Sequence, residues 1–186
     1  VQHLVREDRT AGAILYTSRP VGGDWSAPVP IDSFAITDNT EALRLALDGL
    51  GNLHVVHTTG GALRYIHRLG VTWQSPITLA QNAWRPKLIA DGTGTVHLTY
   101  LSSGLMGPSS STLYYRERQG GTWQPPVEMT NFTPLMLEYR ALDATQMAVG
   151  GDGTLHIFSW RLNNGAVEVG YWVKAPGGNL TLLAPP

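Results

Sequence analysis

One short pattern recurs along these 186 residues: a glycine turn, a histidine three residues on, and then an alternating strand. Its copies are Asp48-Gly-Leu-Gly-Asn-Leu-His54, Asp91-Gly-Thr-Gly-Thr-Val-His97 and Gly150-Gly-Asp-Gly-Thr-Leu-His156. Each runs into a strand-like segment: Val55-Val-His57, Leu98-Thr-Tyr100 and Ile157-Phe-Ser-Trp160. A chain that repeats one short unit buries its apolar surface by packing each copy on its neighbours, so the repeat constrains the architecture more than any composition does.

A second pattern follows the first in register. It reads Leu63-Arg-Tyr65 up to Trp73, then Leu113-Tyr-Tyr115 up to Gly120-Gly-Thr-Trp123. A copy without the histidine turn before it opens the chain as Ile14-Leu-Tyr16 and Gly22-Gly-Asp-Trp25, and the last copy, Val167-Glu-Val-Gly-Tyr171, has no tryptophan after its turn at Pro176-Gly-Gly178. Trp25 to Trp73 spans 48 residues, Trp73 to Trp123 spans 50, His54 to His97 spans 43 and His97 to His156 spans 59. Periods of roughly 40 to 50 residues with four strands each are those of β-propeller blades. The expected fold is therefore all-β: a β-propeller of four-stranded antiparallel blades, three and a half to four of them in this chain. One domain spans 1–186, with units at 1–31 (a half blade), 40–79, 84–130 and 140–183. Closed propellers have four to eight blades, so the ring would be completed by other sequence, by another copy or by joining the first strands to the last blade.

These signatures resemble the sialidase-like, Asp-box (BNR-like) propeller superfamily, in which Asp-x-x-Gly-x-x-His and Gly-Gly-x-Trp motifs recur blade after blade. The strict Asp-box, Ser-x-Asp-x-Gly-x-Thr-Trp, is not present. The resemblance covers nearly the whole chain and speaks to fold, because unrelated activities share propellers.

In such a blade the short, uniform glycine turns lie on one face and the loops of variable length on the other. The variable set here includes Asp32 to Thr40, Ser102 to Thr112 and Thr130 to Thr145, and variable loops on a rigid scaffold are the usual place for a binding site. Binding is therefore expected on that face, at Arg44, Trp84, Arg85, Tyr139 and Arg140. Trp84 stands outside the repeat and suits stacking on a sugar ring, while Arg44, Arg85 and Arg140 each precede or begin an inner strand. The resemblance implies that three such arginines would clamp a substrate carboxylate through bidentate bonds. It also requires a tyrosine nucleophile with a carboxylate partner, for which Tyr139 with Glu138 or Glu128 is the nearest pair; neighbours on a strand point to opposite faces, which counts against Glu138.

His54, His97 and His156 fall at equivalent places in successive units, so they are read as structural, bonding a neighbouring turn, and no metal site is expected. Asp48 and Asp91 are read as acceptors of turn N–H groups. Trp25, Trp73 and Trp123 are read as packing between units.

Composition bounds the partners. Charged residues are 15 % of the chain and the net charge is −1, which does not favour nucleic acid or an anionic membrane. Arginines outnumber lysines eleven to two, there is no cysteine and no apolar run of the roughly 20 residues needed to span a bilayer. The expected function is a non-catalytic, extracellular or cell-surface binding or adhesion module of a bacterium, with a glycan as ligand and no cofactor. A sialidase-like glycoside hydrolase ranks second, and a structural subunit whose propeller is completed by other copies or chains ranks third.

Overall fold

A computed structural model describes residues 1–38, 41–103, 111–132, 145–163 and 166–183, and strands are the only regular elements among them. They form four antiparallel sheets, each a meander in sequence order. The first holds β1 (Gln2–Asp8), β2 (Ala13–Arg19) and β3 (Val29–Ser33). The second holds β4 (Glu41–Leu47), β5 (Leu53–Thr59) and β6 (Ala62–Leu69), with β7 (Thr72–Trp73) and β8 (Ile77–Ala80) both paired to β6. The third repeats this with β9 (Ala83–Ala90), β10 (Val96–Ser103), β11 (Ser111–Gln119), β12 (Thr122–Trp123) and β13 (Val127–Phe132). The fourth holds β14 (Gln146–Val149), β15 (Leu155–Asn163), β16 (Ala166–Lys174) and β17 (Thr181–Leu183).

The outer strand is split by proline. Ser75-Pro76 separates β7 from β8, and Pro125-Pro126 separates β12 from β13. Proline cannot donate to a ladder, so it is tolerated on the outermost strand, where the missing N–H faces away from a partner. The first sheet differs from the expected half unit: it has three strands, not two, because residues 2–8 pair along the whole of β2. His3 lies opposite Ser18 as His54 lies opposite His67, which makes β1 the counterpart of β5 and leaves this sheet without an inner strand.

Adjacent sheets pack face to face. Ile14, Tyr16 and Ile31 meet Leu53, Val55 and Ile66; Val56, Leu63 and Tyr65 meet Leu88, Val96 and Leu98; Tyr115 meets Leu155, Ile157 and Trp172. The second strands of the inner sheets are thus covered on both faces, and β5 is buried at every position. That removes the in–out alternation of a half-solvated strand, and the buried polar residues His54, His57 and Thr59 are each hydrogen-bonded to a side chain. Among the described residues no apolar cluster joins the first sheet to the fourth, and no helix is long and apolar enough to cross a membrane.

Each sheet is tied by one side-chain bond between equivalent strands, buried in the second and third sheets and part-buried in the first and fourth. A histidine Nδ1 pairs with a tyrosine hydroxyl: His3 with Tyr16 at 2.8 Å, His54 with Tyr65 at 2.8 Å, His97 with Tyr115 at 2.8 Å and His156 with Tyr171 at 2.7 Å. Trp73 then meets the Tyr16 ring edge-on at a centroid distance of 5.0 Å, and Trp123 meets Tyr65 in the same way at 5.0 Å. The tryptophan of one sheet therefore packs on the tyrosine of the sheet before it. Tyr65→Phe leaves His54 Nδ1 buried without its partner, and we expect urea denaturation to show a loss of about 1–3 kcal/mol.

Candidate functional site

The expected binding residues fall on the inner strands. Arg44 lies on β4 and Arg85 on β9, and these two strands pack against one another. Both strands are bulged near their starts. The register shifts between Glu41 and Arg44 and again opposite Arg85, and Ala42, Asn82 and Arg85 hold φ of 58°, 50° and 53°. Bulges of this kind re-aim the following side chains. Arg44 Nη1 donates to the carbonyl of Leu43 at 3.1 Å. Trp84 is half-buried against Leu101 and Leu113, so its ring serves the core. Tyr139 and Arg140, with Glu138, lie outside the described residues.

On the same side, one ionic network has no counterpart in the other sheets among the described residues. Asp32, on β3, accepts a bond from His57 Nε2 at 2.8 Å and two from Arg64, at 2.7 and 2.9 Å. The corresponding positions to His57 and Arg64 in the third sheet are Tyr100 and Tyr114, whose rings stack 5.5 Å apart. Burial alone would raise the Asp32 pKa, but the bonds from His57, Arg64 and the Ser33 N–H outweigh it and hold it at about 2. The network ties the first sheet to the second.

The glycine turns supply a different geometry. Asp48 Oδ1 accepts from the N–H groups of Leu50 and Asn52, and Asp91 Oδ1 from those of Thr93 and Thr95, as their sequence pattern implied. The turns of the second and third sheets abut: the Gly49 N–H donates to the Asp91 carbonyl at 3.0 Å, and a Cβ on Gly49 would lie 2.3 Å from the Gly92 carbonyl oxygen. No such bond joins Gly92 to the equivalent turn at Gly150. There the turns stand apart and leave a cleft of about 490 Å³, floored by His97, Glu117 and Lys174 and walled by Asp91, Thr93, Asp152 and Pro176. This volume falls within the roughly 300–1,000 Å³ typical of small-molecule sites.

The polar bonds at the floor fix which atoms are on offer. Lys174 pairs with Glu117 at 3.1 Å, and Glu117 accepts the Tyr115 hydroxyl proton at 3.0 Å. A tyrosine has one such proton, so Tyr115 must accept from His97 Nδ1–H, which leaves a lone pair on His97 Nε2. That nitrogen is buried with no hydrogen-bond partner and stands 3.9 Å from Asp91 Oδ2, a second acceptor. In the second sheet the position of Glu117 is taken by His67, Tyr65 keeps its proton for His54 Nδ1, and His54 Nε2–H donates to Asp48 at 3.1 Å. One substitution in the repeat thus inverts the tautomer and converts a closed bond into a pair of acceptors. His97 is held neutral, its pKa lowered chiefly by burial, while Asp91 and Glu117 offset part of that effect and Lys174 adds to it. Among the described residues no group of three or more His, Asp or Glu side chains is gathered as a metal would need.

The sequence pattern aligned three histidines and passed over His3, because no glycine turn precedes it. Its signal is the spacing from His3 to the Tyr16 strand, which only the pairing of β1 with β2 makes visible.

Two pH windows follow. Burial, then Arg118, then His54 lower the His67 pKa from 6.5 to about 4. As pH falls the unfolded chain protonates first, so stability present above 6.5 is lost down to about 4. Asp32 contributes stability present above 3.8 and lost as pH falls to about 2. Thermal unfolding monitored from pH 7 to pH 2 should show both declines, with His67→Gln reducing the first. Asp32→Asn, which leaves Arg64 without its counter-charge, should abolish the second and cost roughly 3–5 kcal/mol at neutral pH.

No protein-family model matches this chain, and no curated protein matches it either.

Proposed function

We propose that the four sheets are blades of a sialidase-like β-propeller, and that the chain is a non-catalytic binding module whose ligand is a glycan. The observation that carries this reading is the cleft between the third and fourth sheets. Its lining offers what a polyhydroxylated ligand uses: carboxylates at Asp91 and Asp152 to accept hydroxyl protons, glycine backbone open to close approach, and an apolar edge at Pro176 and Val149. Beneath this lining the His97 Nε2 lone pair lies buried 3.9 Å from Asp91 Oδ2, so the ligand contacts come from the Asp91 and Asp152 carboxylates and the turn backbone above it. The interaction is one of hydrogen bonding and shape, with no proton transfer or bond cleavage required of these groups. An extracellular or cell-surface location in a bacterium accords with a glycan ligand.

This places the ligand among the short turns, whereas the loop-length argument favours the opposite face, where Arg44 and Arg85 follow bulges. Gly151 separates the two. It lines the cleft and has nothing within 4 Å of where a Cβ would stand, so a side chain introduced at Gly151 starts into open space at the cleft wall. On a glycan array, followed by calorimetry on the best hit, Gly151→Trp should weaken binding by about tenfold or more, equivalent to about 1.4 kcal/mol, at an unchanged melting temperature. Binding that survives Gly151→Trp but is lost in Arg85→Ala would move the site to the variable-loop face. An array with no hits at all would remove the glycan reading.

A further inference from the structure

We propose that the first and fourth sheets bind one another between copies of this chain, head to tail, by reproducing the interface that joins successive sheets within it. That interface has two unlike halves. One sheet presents a tyrosine, held by its histidine, on an apolar face. The following sheet presents a tryptophan and an arginine that cover it: Trp73 and Arg68 on Tyr16, with Arg68 Nη1 donating to the hydroxyl at 2.8 Å, and Trp123 and Arg118 on Tyr65, with the guanidinium 5.9 Å from the ring centre.

Each end of the chain carries one half without its complement. In the fourth sheet His156 and Tyr171 make their bond, but among the described residues no tryptophan covers it. Strand register equates Phe158 with Val56 and Thr99, and Val169 with Leu63 and Leu113. Val56, Thr99 and Leu63 are 0 % exposed, whereas Phe158 is 46 % exposed and Val169 is 49 % exposed. In the first sheet Trp25 and Arg19 occupy the places of Trp73 and Arg68, yet Trp25 is 43 % exposed and Arg19 lies over its own ring at 5.0 Å. Leu4 is 44 % exposed, and its counterparts Val55, Leu98 and Ile157 are 0 % exposed. The two faces are therefore complementary to each other and not to themselves, which calls for a heterologous contact: it closes into a ring if the rotation permits and otherwise runs on. The occupant of each of these faces is a second copy because a second copy supplies the missing half of both, in continuity with the two internal interfaces of the same construction.

The test is the solution mass of the chain by light scattering over a range of concentrations, with two variants at exposed positions whose folding is checked by circular dichroism. The wild type should assemble into multiples of its 20.2 kDa mass. Trp25→Ala removes the covering half and Phe158→Asp disables the covered half, so either alone should raise the dissociation constant at least tenfold. Mixing the two should restore a dimer, and nothing larger, because each variant retains the half that the other lacks. Gly151→Trp, which blocks the cleft, should leave the mass unchanged, so a failure of the glycan reading does not bear on assembly. A wild type that stays monomeric overturns the proposal and gives these faces to other sheets. An assembly indifferent to both variants, or one broken by each but not rescued by mixing, overturns it as well.

Discussion

Around a bond from a histidine nitrogen to a tyrosine hydroxyl, each sheet sets its own register and prepares a surface for the next. Net of desolvation such a bond contributes only about 1 kcal/mol, but leaving either partner buried and unpaired costs more, so pairing register and packing face are specified together. The tyrosine ring then presents its face to the tryptophan of the following sheet, an edge-on contact that adds roughly 0.5–1.5 kcal/mol beyond the area it buries. The pair recurs in all four sheets, and the two interfaces that join the first three sheets are built by one rule, with β5 enclosed between them.

The third sheet shows how much a repeat can change through one position. Glu117 stands where the second sheet has His67, and Lys174 stands where the second and third sheets have Arg68 and Arg118. The carboxylate takes the tyrosine proton, the histidine turns its lone pair outward, and the lysine is neutralised by the carboxylate instead of covering the ring. A closed, satisfied bond becomes two acceptors at the floor of a cleft. The glycine turns above it also differ: Gly150 stands where Asp48 and Asp91 stand in the other sheets, and the bond from the Gly49 N–H to the Asp91 carbonyl is not repeated there.

A different asymmetry appears on the opposite side. Asp32, His57 and Arg64 form an ionic group between the first and second sheets in which the aspartate and the histidine are buried. Removing a charge from water is costly unless it is paired and fully bonded, and the low pKa of Asp32 reports that here the bonds prevail over burial. The bulged starts of β4 and β9 lie near this side, so the two faces of the molecule differ in kind: regular turns with one opened gap, and irregular strand starts stabilised by charge.

Much of the fold was legible in the sequence because it rests on local chemistry. Glycines at fixed offsets dictate the turns, aspartates cap them, alternating residues mark strands, and prolines mark the outer strand that must split. All of these act within a few residues, and the repeat multiplies their signal. What the sequence hid depends on contacts between distant segments. That β1 is a second strand, not an inner one, follows only from its pairing with β2. That Trp84 packs against Leu101 and Leu113 follows only from the pairing of their strands. The tautomer of His97 is decided by a proton given to Glu117, and the cleft by a hydrogen bond present between one pair of turns and absent between the next. Sequence by itself determined the unit, because a unit is made of near neighbours; the tertiary structure decided where the units fail to match, because mismatch exists only between surfaces brought together by folding.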